Sequence, residues 1–385
     1  MKYLIVLGDG MADEPIPELG GRTPLEAAVT PNMDRIAREG AMGMLKTVPD
    51  GFLPGSDIAN LGVLGYDVKT CYTGRGALEA ASMGIELGPL DMAYRCNLVT
   101  IKEGIMEDFS AGHISSEEGA ELLKSLNDHL IGSGALFYPG VSYRNLMIIP
   151  DGGGVESTPP HDIGGQAIES YLPTGADRHL IAYCMEESRK VFAEHTINLS
   201  RIAAGKRPAT HIWPWSSGRR PAIPIFSTKY DLSGGMISAV DLLNGIAKYA
   251  GMEIIRVPGA TGYLDTDYDA KARYAIEALK HLDFLYLHIE APDEAGHMGN
   301  LAEKIIAIER VDAVIGAILK DFHGRIVVLP DHPTPLRIKT HTADPVPFAI
   351  LGCGADACSA FSEKQGRAGM FGQIDGPDLL PLLFA

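Results

Sequence analysis

Three aspartates and three histidines stand just after short apolar runs, where they could share a metal centre. Asp9 ends LIVLGDG, Asp293 and His297 lie in YLHIEAPDEAGHMGN, Asp331 and His332 end IVVLPDH, and His341 follows in KTHTADP. Asp293 and His297 are four apart, so a helical turn would bring a carboxylate oxygen and an imidazole nitrogen to one divalent cation. Mixed nitrogen and oxygen donors suit Mn²⁺ or Zn²⁺ better than an all-oxygen Mg²⁺ or Ca²⁺ shell. Ser56 supplies an oxygen nucleophile. It follows the chain-breaking Pro54-Gly55 and precedes the apolar Ile58, Leu61, Val63 and Leu64, the position of a helix N-cap. Capping explains that serine locally, whereas a paired metal site beside it would lower its pKa and hold its oxygen in line with phosphorus. Three carboxylates and a serine alkoxide carry four negative charges, which two divalent cations balance.

These residues need a common platform. LIVLG, FLYLHI and IVVLP are continuous apolar runs, the pattern of strands buried on both faces of a parallel sheet, and each delivers its aspartate at a carboxyl end. Helical patterns separate such runs, among them ISAVDLLNGIAKYAG, AKARYAIEALKHL and LAEKIIAIERVDAVIGAILKDF. This alternation predicts an α/β fold with a doubly wound, mainly parallel sheet. From about Leu90 the texture becomes strand, turn, strand and capped helix, which predicts a smaller α+β domain at residues 92–195 inserted into a core of 1–91 and 196–385. Its polar candidates are Arg95, Arg144, His161 and Asp162. Gly74-Arg75-Gly76 reads as a plain turn, because the full phosphate-loop fingerprint is absent. The core is expected to resume with a strand through Trp213 and Trp215, and Lys229 to follow a second strand, AIPIF, from which it could reach an anion.

The 385 residues carry a formal charge of −16 and no dense basic block, which argues against nucleic-acid binding. No apolar run approaches the roughly 20 residues of a membrane helix, and the first strand is too short for a signal core, so a cytoplasmic protein is expected. The five cysteines form no C-x-x-C pair and fit reduced thiols. Oligomeric state leaves no mark in the sequence.

Taken together, LGDGMAD, TPNMD, GSDIANLGVLGYD, HIEAPDEAGH, PDHPTP and THTADPVPF resemble the cofactor-independent phosphoglycerate mutases of the archaeal type, within the alkaline phosphatase superfamily. The resemblance spans nearly the whole chain. It implies an alkaline phosphatase-like core and two divalent metals, Mn²⁺ first, with Zn²⁺, Co²⁺ or Mg²⁺ as alternatives. Asp9, Ser56, Asp331 and His332 would hold one metal, and Asp293, His297 and His341 the other. Ser56 would become transiently phosphorylated while 3-phosphoglycerate and 2-phosphoglycerate interconvert, with the inserted domain closing over the small phosphorylated substrate. Lys229 looks like the family's phosphate-contacting lysine, and Arg95, Arg144, His161, Asp162 and Arg219 are further substrate contacts implied.

One departure stands out. Where such mutases commonly have Asp-His-Ser-Thr-Pro, this chain has Asp331-His332-Pro333-Thr334-Pro335, which removes a hydroxyl and an amide donor beside the metal ligands. WPWSSGRRP, VPGATGYLDTDYDAKA and LPDHPTP are similar to a subgroup proposed to be homoserine kinases. That alternative keeps the metals and Ser56 but changes the acceptor and adds a nucleotide donor. Simple phosphomonoester hydrolysis would need only an open site, which an inserted domain disfavours.

Overall fold

YLIVLG at Tyr3–Gly8 is buried along its whole length, as a strand covered on both faces must be. In the computed structural model, which describes residues 1–385, it pairs in parallel with Phe284–Ile289 on one side and Arg325–Leu329 on the other. These three strands form the middle of an eight-stranded sheet ordered Glu253–Ile254, Gly234–Ile237, Phe284–Ile289, Tyr3–Gly8, Arg325–Leu329, Val346–Leu351, Ala41–Lys46 and Gln373–Asp375. Val346–Leu351 alone runs against its neighbours. The fold is thus α/β with a mainly parallel sheet. Ile36, Leu285, Ile308, Val311 and Ile315 belong to the apolar cluster packed on it.

The chain divides into two compact units, unit 1 comprising Met1–Tyr72 and Ala222–Ala385, and unit 2 comprising Thr73–Pro221. Unit 2 is built on the long strand Met92–Lys102, which pairs antiparallel with Ile105–Asp108, Arg144–Ile149 and His211–Arg219, while Leu136–Val141 extends the sheet beyond Arg144–Ile149. Ser116–His129 covers it, opened by a capping box between Ser115 and Glu118.

This inserted unit is wider than the expected 92–195, for two physical reasons. Arg75–Ser82 is a helix rather than a plain turn, and its Ala77 and Ala80 pack with Ala93, Leu146 and Ile148 of unit 2. The tryptophan strand His211–Arg219 pairs with Met92–Lys102, not with the parallel sheet. AIPIF is also no strand. Pro221 and Pro224 lack the amide donors a ladder needs, and Phe226–Tyr230 is a short helix. No helix is long and apolar enough to cross a membrane, and all five cysteines are free thiols.

Candidate active site

The strands Phe284–Ile289, Tyr3–Gly8 and Arg325–Leu329 are parallel neighbours, so residues following their carboxyl ends emerge together on one sheet edge. Asp9 and Asp331 leave directly from their strands, and Asp293 sits in the first turn of the helix Ala291–Met298. All three are buried, at 0% exposure for Asp9 and Asp331 and 4% for Asp293. The helix presents His297 one turn on, with Nε2 3.1 Å from Asp293 Oδ2. His341, on the connection after Arg325–Leu329, brings Nε2 to 3.5 Å from Asp293 Oδ1 and 3.0 Å from His297 Nε2. His332 Nε2 lies 3.5 Å from Asp9 Oδ1 and 3.4 Å from Asp331 Oδ2.

Ser56 is the first residue of the helix Ser56–Val63, whose N-cap position is Gly55. Its hydroxyl is not spent on capping. Ser56 Oγ instead lies 3.2 Å from His332 Nε2, inside the cluster. Two imidazoles have their tautomers set from behind. His297 Nδ1 faces the Lys339 carbonyl at 3.0 Å, so it keeps its proton there, and Nε2, which gives its own proton to Asp293, is the nitrogen that would meet a cation once that proton is lost. His332 Nδ1 lies 3.3 Å from Thr334 Oγ1, whose own proton goes to Asp293 Oδ1, so this Nδ1 keeps its proton too.

The electrostatics call for a cation. Burial raises the Asp9 carboxyl well above its ordinary range, and repulsion from Asp331, Asp293 and Glu290 adds to that. Its Oδ1 is buried with no hydrogen-bond partner. Asp293 goes the other way: burial opposes ionisation, but hydrogen bonds to His297 and His341 outweigh it and hold the carboxylate well below its usual range. His297 is correspondingly pushed up to about 9, mainly by its hydrogen bond to Asp293. Protons on histidines stand here where cations would. Three overlapping groups have ligand atoms close enough for a metal ion: Asp9 with Asp331 and His332, Asp293 with His332 and His341, and Asp9 with His288 and Glu290. The donor set and the orphaned Asp9 oxygen fit divalent metals.

Several residues in this cluster carried no sequence signal of their own. Asn60 donates from Nδ2 to the Ser56 carbonyl and to Asp331 Oδ2, each at 2.8 Å, and accepts at Oδ1 from the Tyr286 hydroxyl. An asparagine set between Ala59 and Leu61, on the apolar stretch of that helix, was the available clue. Thr47 Oγ1 holds the Asp331 carbonyl at 2.5 Å, and Gly10 N donates to Asp331 Oδ1 at 3.2 Å. His288, on the strand Phe284–Ile289, meets Asp9 Oδ2 from behind at 3.0 Å, and burial lowers its pKa to about 3.

The remaining candidates are elsewhere. Lys229 is exposed, with Nζ 5.0 Å from the Tyr230 ring and no hydrogen bond or ion pair to the carboxylates. Arg95, Arg144, His161, Asp162 and Arg219 all belong to unit 2. Arg95 Cζ lies 4.2 Å over the Trp215 ring, with Nε 2.9 Å from Glu79 Oε1, and burial lowers its pKa to about 10. His161 meets the edge of Trp215 at 5.4 Å between centroids, and Asp162 Oδ1 is 3.7 Å from its Nε2. Arg144 stacks near Tyr143 at 5.7 Å. Arg219 is apart from these, donating to the Gly152 carbonyl at 2.6 Å in the wall of a cavity of about 590 Å³.

Comparison with known proteins agrees along the whole chain. The sequence profile of the 2,3-bisphosphoglycerate-independent phosphoglycerate mutases matches residues 37–198. The chain is 51% identical to the 2,3-bisphosphoglycerate-independent phosphoglycerate mutase of Methanothrix thermoacetophila, with 100% of both covered. Among solved structures, a protein from Pyrococcus horikoshii superposes with a TM-score of 0.85 at 31% identity, covering 100% of this chain and 96% of that one. The cofactor-independent phosphoglycerate mutase from Thermoplasma acidophilum gives 0.69 at 27% identity, covering 100% and 99%.

Proposed function

We propose that this chain, which belongs to the 2,3-bisphosphoglycerate-independent phosphoglycerate mutase family, interconverts 3-phosphoglycerate and 2-phosphoglycerate through a phosphorylated Ser56. The observation that carries the reading is the Ser56 hydroxyl, uncapped and 3.2 Å from His332 within a buried cluster of aspartates and histidines. Asp9, Ser56, Asp331 and His332 would hold one divalent ion, Mn²⁺ first among those considered, and Asp293, His297 and His341 a second. Bound there, the ions would screen the carboxylates, lower the Ser56 pKa and draw charge from the phosphoryl oxygens.

The chain's own residues account for the rest. His332 orients the serine hydroxyl, and Asn60 fixes the helix that carries it against Asp331. Ser56 Oγ gives up its proton and attacks phosphorus, the bond to the glycerate 3-oxygen breaks, and that oxygen takes up the proton. The glycerate then turns, its 2-hydroxyl loses its proton and attacks phosphorus, the bond from phosphorus to Ser56 Oγ breaks, and Oγ takes the proton back. Arg95 and Arg144 of unit 2 would supply the positive charge for the glycerate carboxylate, with His161, whose pKa burial lowers, as a hydrogen-bond partner. Lys229 and Arg219 are kept as phosphate contacts made during turnover.

Purified protein given 3-phosphoglycerate and Mn²⁺, without bisphosphoglycerate, should form 2-phosphoglycerate and stop on addition of chelator. No product with Mn²⁺, Co²⁺, Zn²⁺ or Mg²⁺ would overturn the mutase reading. Pro333 keeps a second reading in view, because it removes a donor beside the ligands. ADP release from ATP only when homoserine is added would favour that kinase activity instead.

A further inference from the structure

The helix Leu301–Ile318 follows the Asp293 and His297 segment and carries a lysine that is fully buried. Lys304 Nζ donates to Asp13 Oδ2 at 2.7 Å, to the Thr334 carbonyl at 2.7 Å and to the Ala12 carbonyl at 3.3 Å. Its three protons are thereby spent on two different loops. Ala12 and Asp13 continue the turn that bears Asp9, and Thr334 continues the turn that bears Asp331 and His332. The same loops meet through Thr334 N on the Ala12 carbonyl at 3.2 Å and Leu336 N on Asp13 Oδ2 at 3.2 Å. Asp13 is held from its other side, its amide donating to Glu363 Oε1 at 3.2 Å while Thr23 holds Oε2 at 2.7 Å. Thr334 in turn donates to Asp293, so one ammonium is tied within a few bonds to ligands from all three central strands.

We propose that Lys304 is a positioning residue for the metal centre, locking the Asp9 turn to the Asp331–His332 turn so that their ligand atoms are spaced for a divalent ion. An ammonium taken wholly out of water costs several kcal/mol before pairing, and an apolar side chain would fill the same space without that cost, so stability alone is a poor reason for a lysine here. Asp13 alone would satisfy its charge. The two added carbonyl bonds, one on each loop, fix the loops relative to one another.

The inference rests on the metal-centre reading, and the test separates the two. Mn²⁺ is titrated into folded, metal-stripped protein by calorimetry, for wild type, Lys304→Met, and Lys304→Met combined with Asp13→Asn, which removes the stranded charge. Circular dichroism and melting temperature are followed alongside. The expected result is Mn²⁺ binding about 10–100-fold weaker in both variants, the range found when ligand-orienting partners are removed. The double variant should regain the metal-free melting temperature that the single one loses. A double variant that melts like wild type and binds Mn²⁺ with unchanged affinity would overturn the proposal, as would one that does not fold, which would make the lysine a structural requirement. Wild-type protein that binds no Mn²⁺ would remove the metal-centre reading and this inference with it.

Discussion

At the scale of single residues, the chemistry turns on which side chains have a lone pair or a hydroxyl left over after folding. Ser56 does, because Gly55 takes the N-cap position and Asn60 holds the serine carbonyl rather than its hydroxyl. Ser56→Ala is therefore expected to lower phosphoryl transfer by more than about 10³-fold, as loss of a nucleophile does. Its effect on stability should stay near 1 kcal/mol, measured by denaturant unfolding. Substantial turnover in that variant would exclude Ser56 as nucleophile. His297 makes a second case. Its pKa in the folded, metal-free protein lies near 9 because of Asp293, above the ordinary value of about 6.5. The contact therefore stabilises fully below about pH 6.5 and is lost as pH rises through 9. Metal ions need the neutral ring, so their affinity should rise with pH across that interval. Calorimetry at pH 7.5 in buffers of different ionisation enthalpy should detect close to one proton released from this residue, and His297→Gln should remove it.

At the scale of elements, the turn after the first strand is the tightest part of the site. Gly10 has φ +62°, and a Cβ there would sit 2.5 Å from Asp293 Oδ1 and 2.6 Å from Thr334 Oγ1. Gly10→Ala should cost about 1–3 kcal/mol in strain and push two ligand-bearing loops apart, seen as a lowered melting point together with weakened Mn²⁺ binding. A variant with normal metal affinity would show that the loops tolerate separation. The element scale also explains what the sequence reading missed. Trp213 and Trp215 sit on a strand whose apolar pattern suits either kind of sheet, and only its pairing with Met92–Lys102 assigns it to unit 2. Gly74-Arg75-Gly76 was uninformative because the helix that starts there is held by contacts to Ala93 and Leu146, both distant in sequence.

At the scale of the whole molecule, each unit has its own apolar core, one around Leu285 and Ile315 and the other around Tyr94, Leu122 and Trp213. All seven candidate ligands lie in unit 1. Metal should therefore stabilise that unit selectively. At free Mn²⁺ a hundredfold above its dissociation constant the gain is about 2.7 kcal/mol per site, which raises a melting transition of this size by about 5–10 °C. Scanning calorimetry with and without chelator should show one transition moving and another staying in place. A single transition that shifts as a whole would mean that the units unfold as one.

The amino-acid order alone determined the donor chemistry: aspartates at the ends of buried apolar strands, a histidine four residues from Asp293, and a serine behind Pro54-Gly55 are local patterns with local physical causes. It also determined the fold class, since the alternation of apolar runs and helical periods leaves a parallel sheet as the economical arrangement. Only the tertiary structure decided that the strands carrying Asp9, Asp293 and Asp331 are immediate neighbours, because strand order is settled by packing between segments that have no periodic relation in sequence. Gly10 and Asp331, 321 positions apart, share a hydrogen bond on that account. The same holds for Lys304 and Asn60. Each looks like an unremarkable polar residue on a helix until the two loops or strands it joins have been brought to it. The motif YLHIEAPDEAGH thus announced a candidate ligand pair, and the sheet order gave that pair its neighbours.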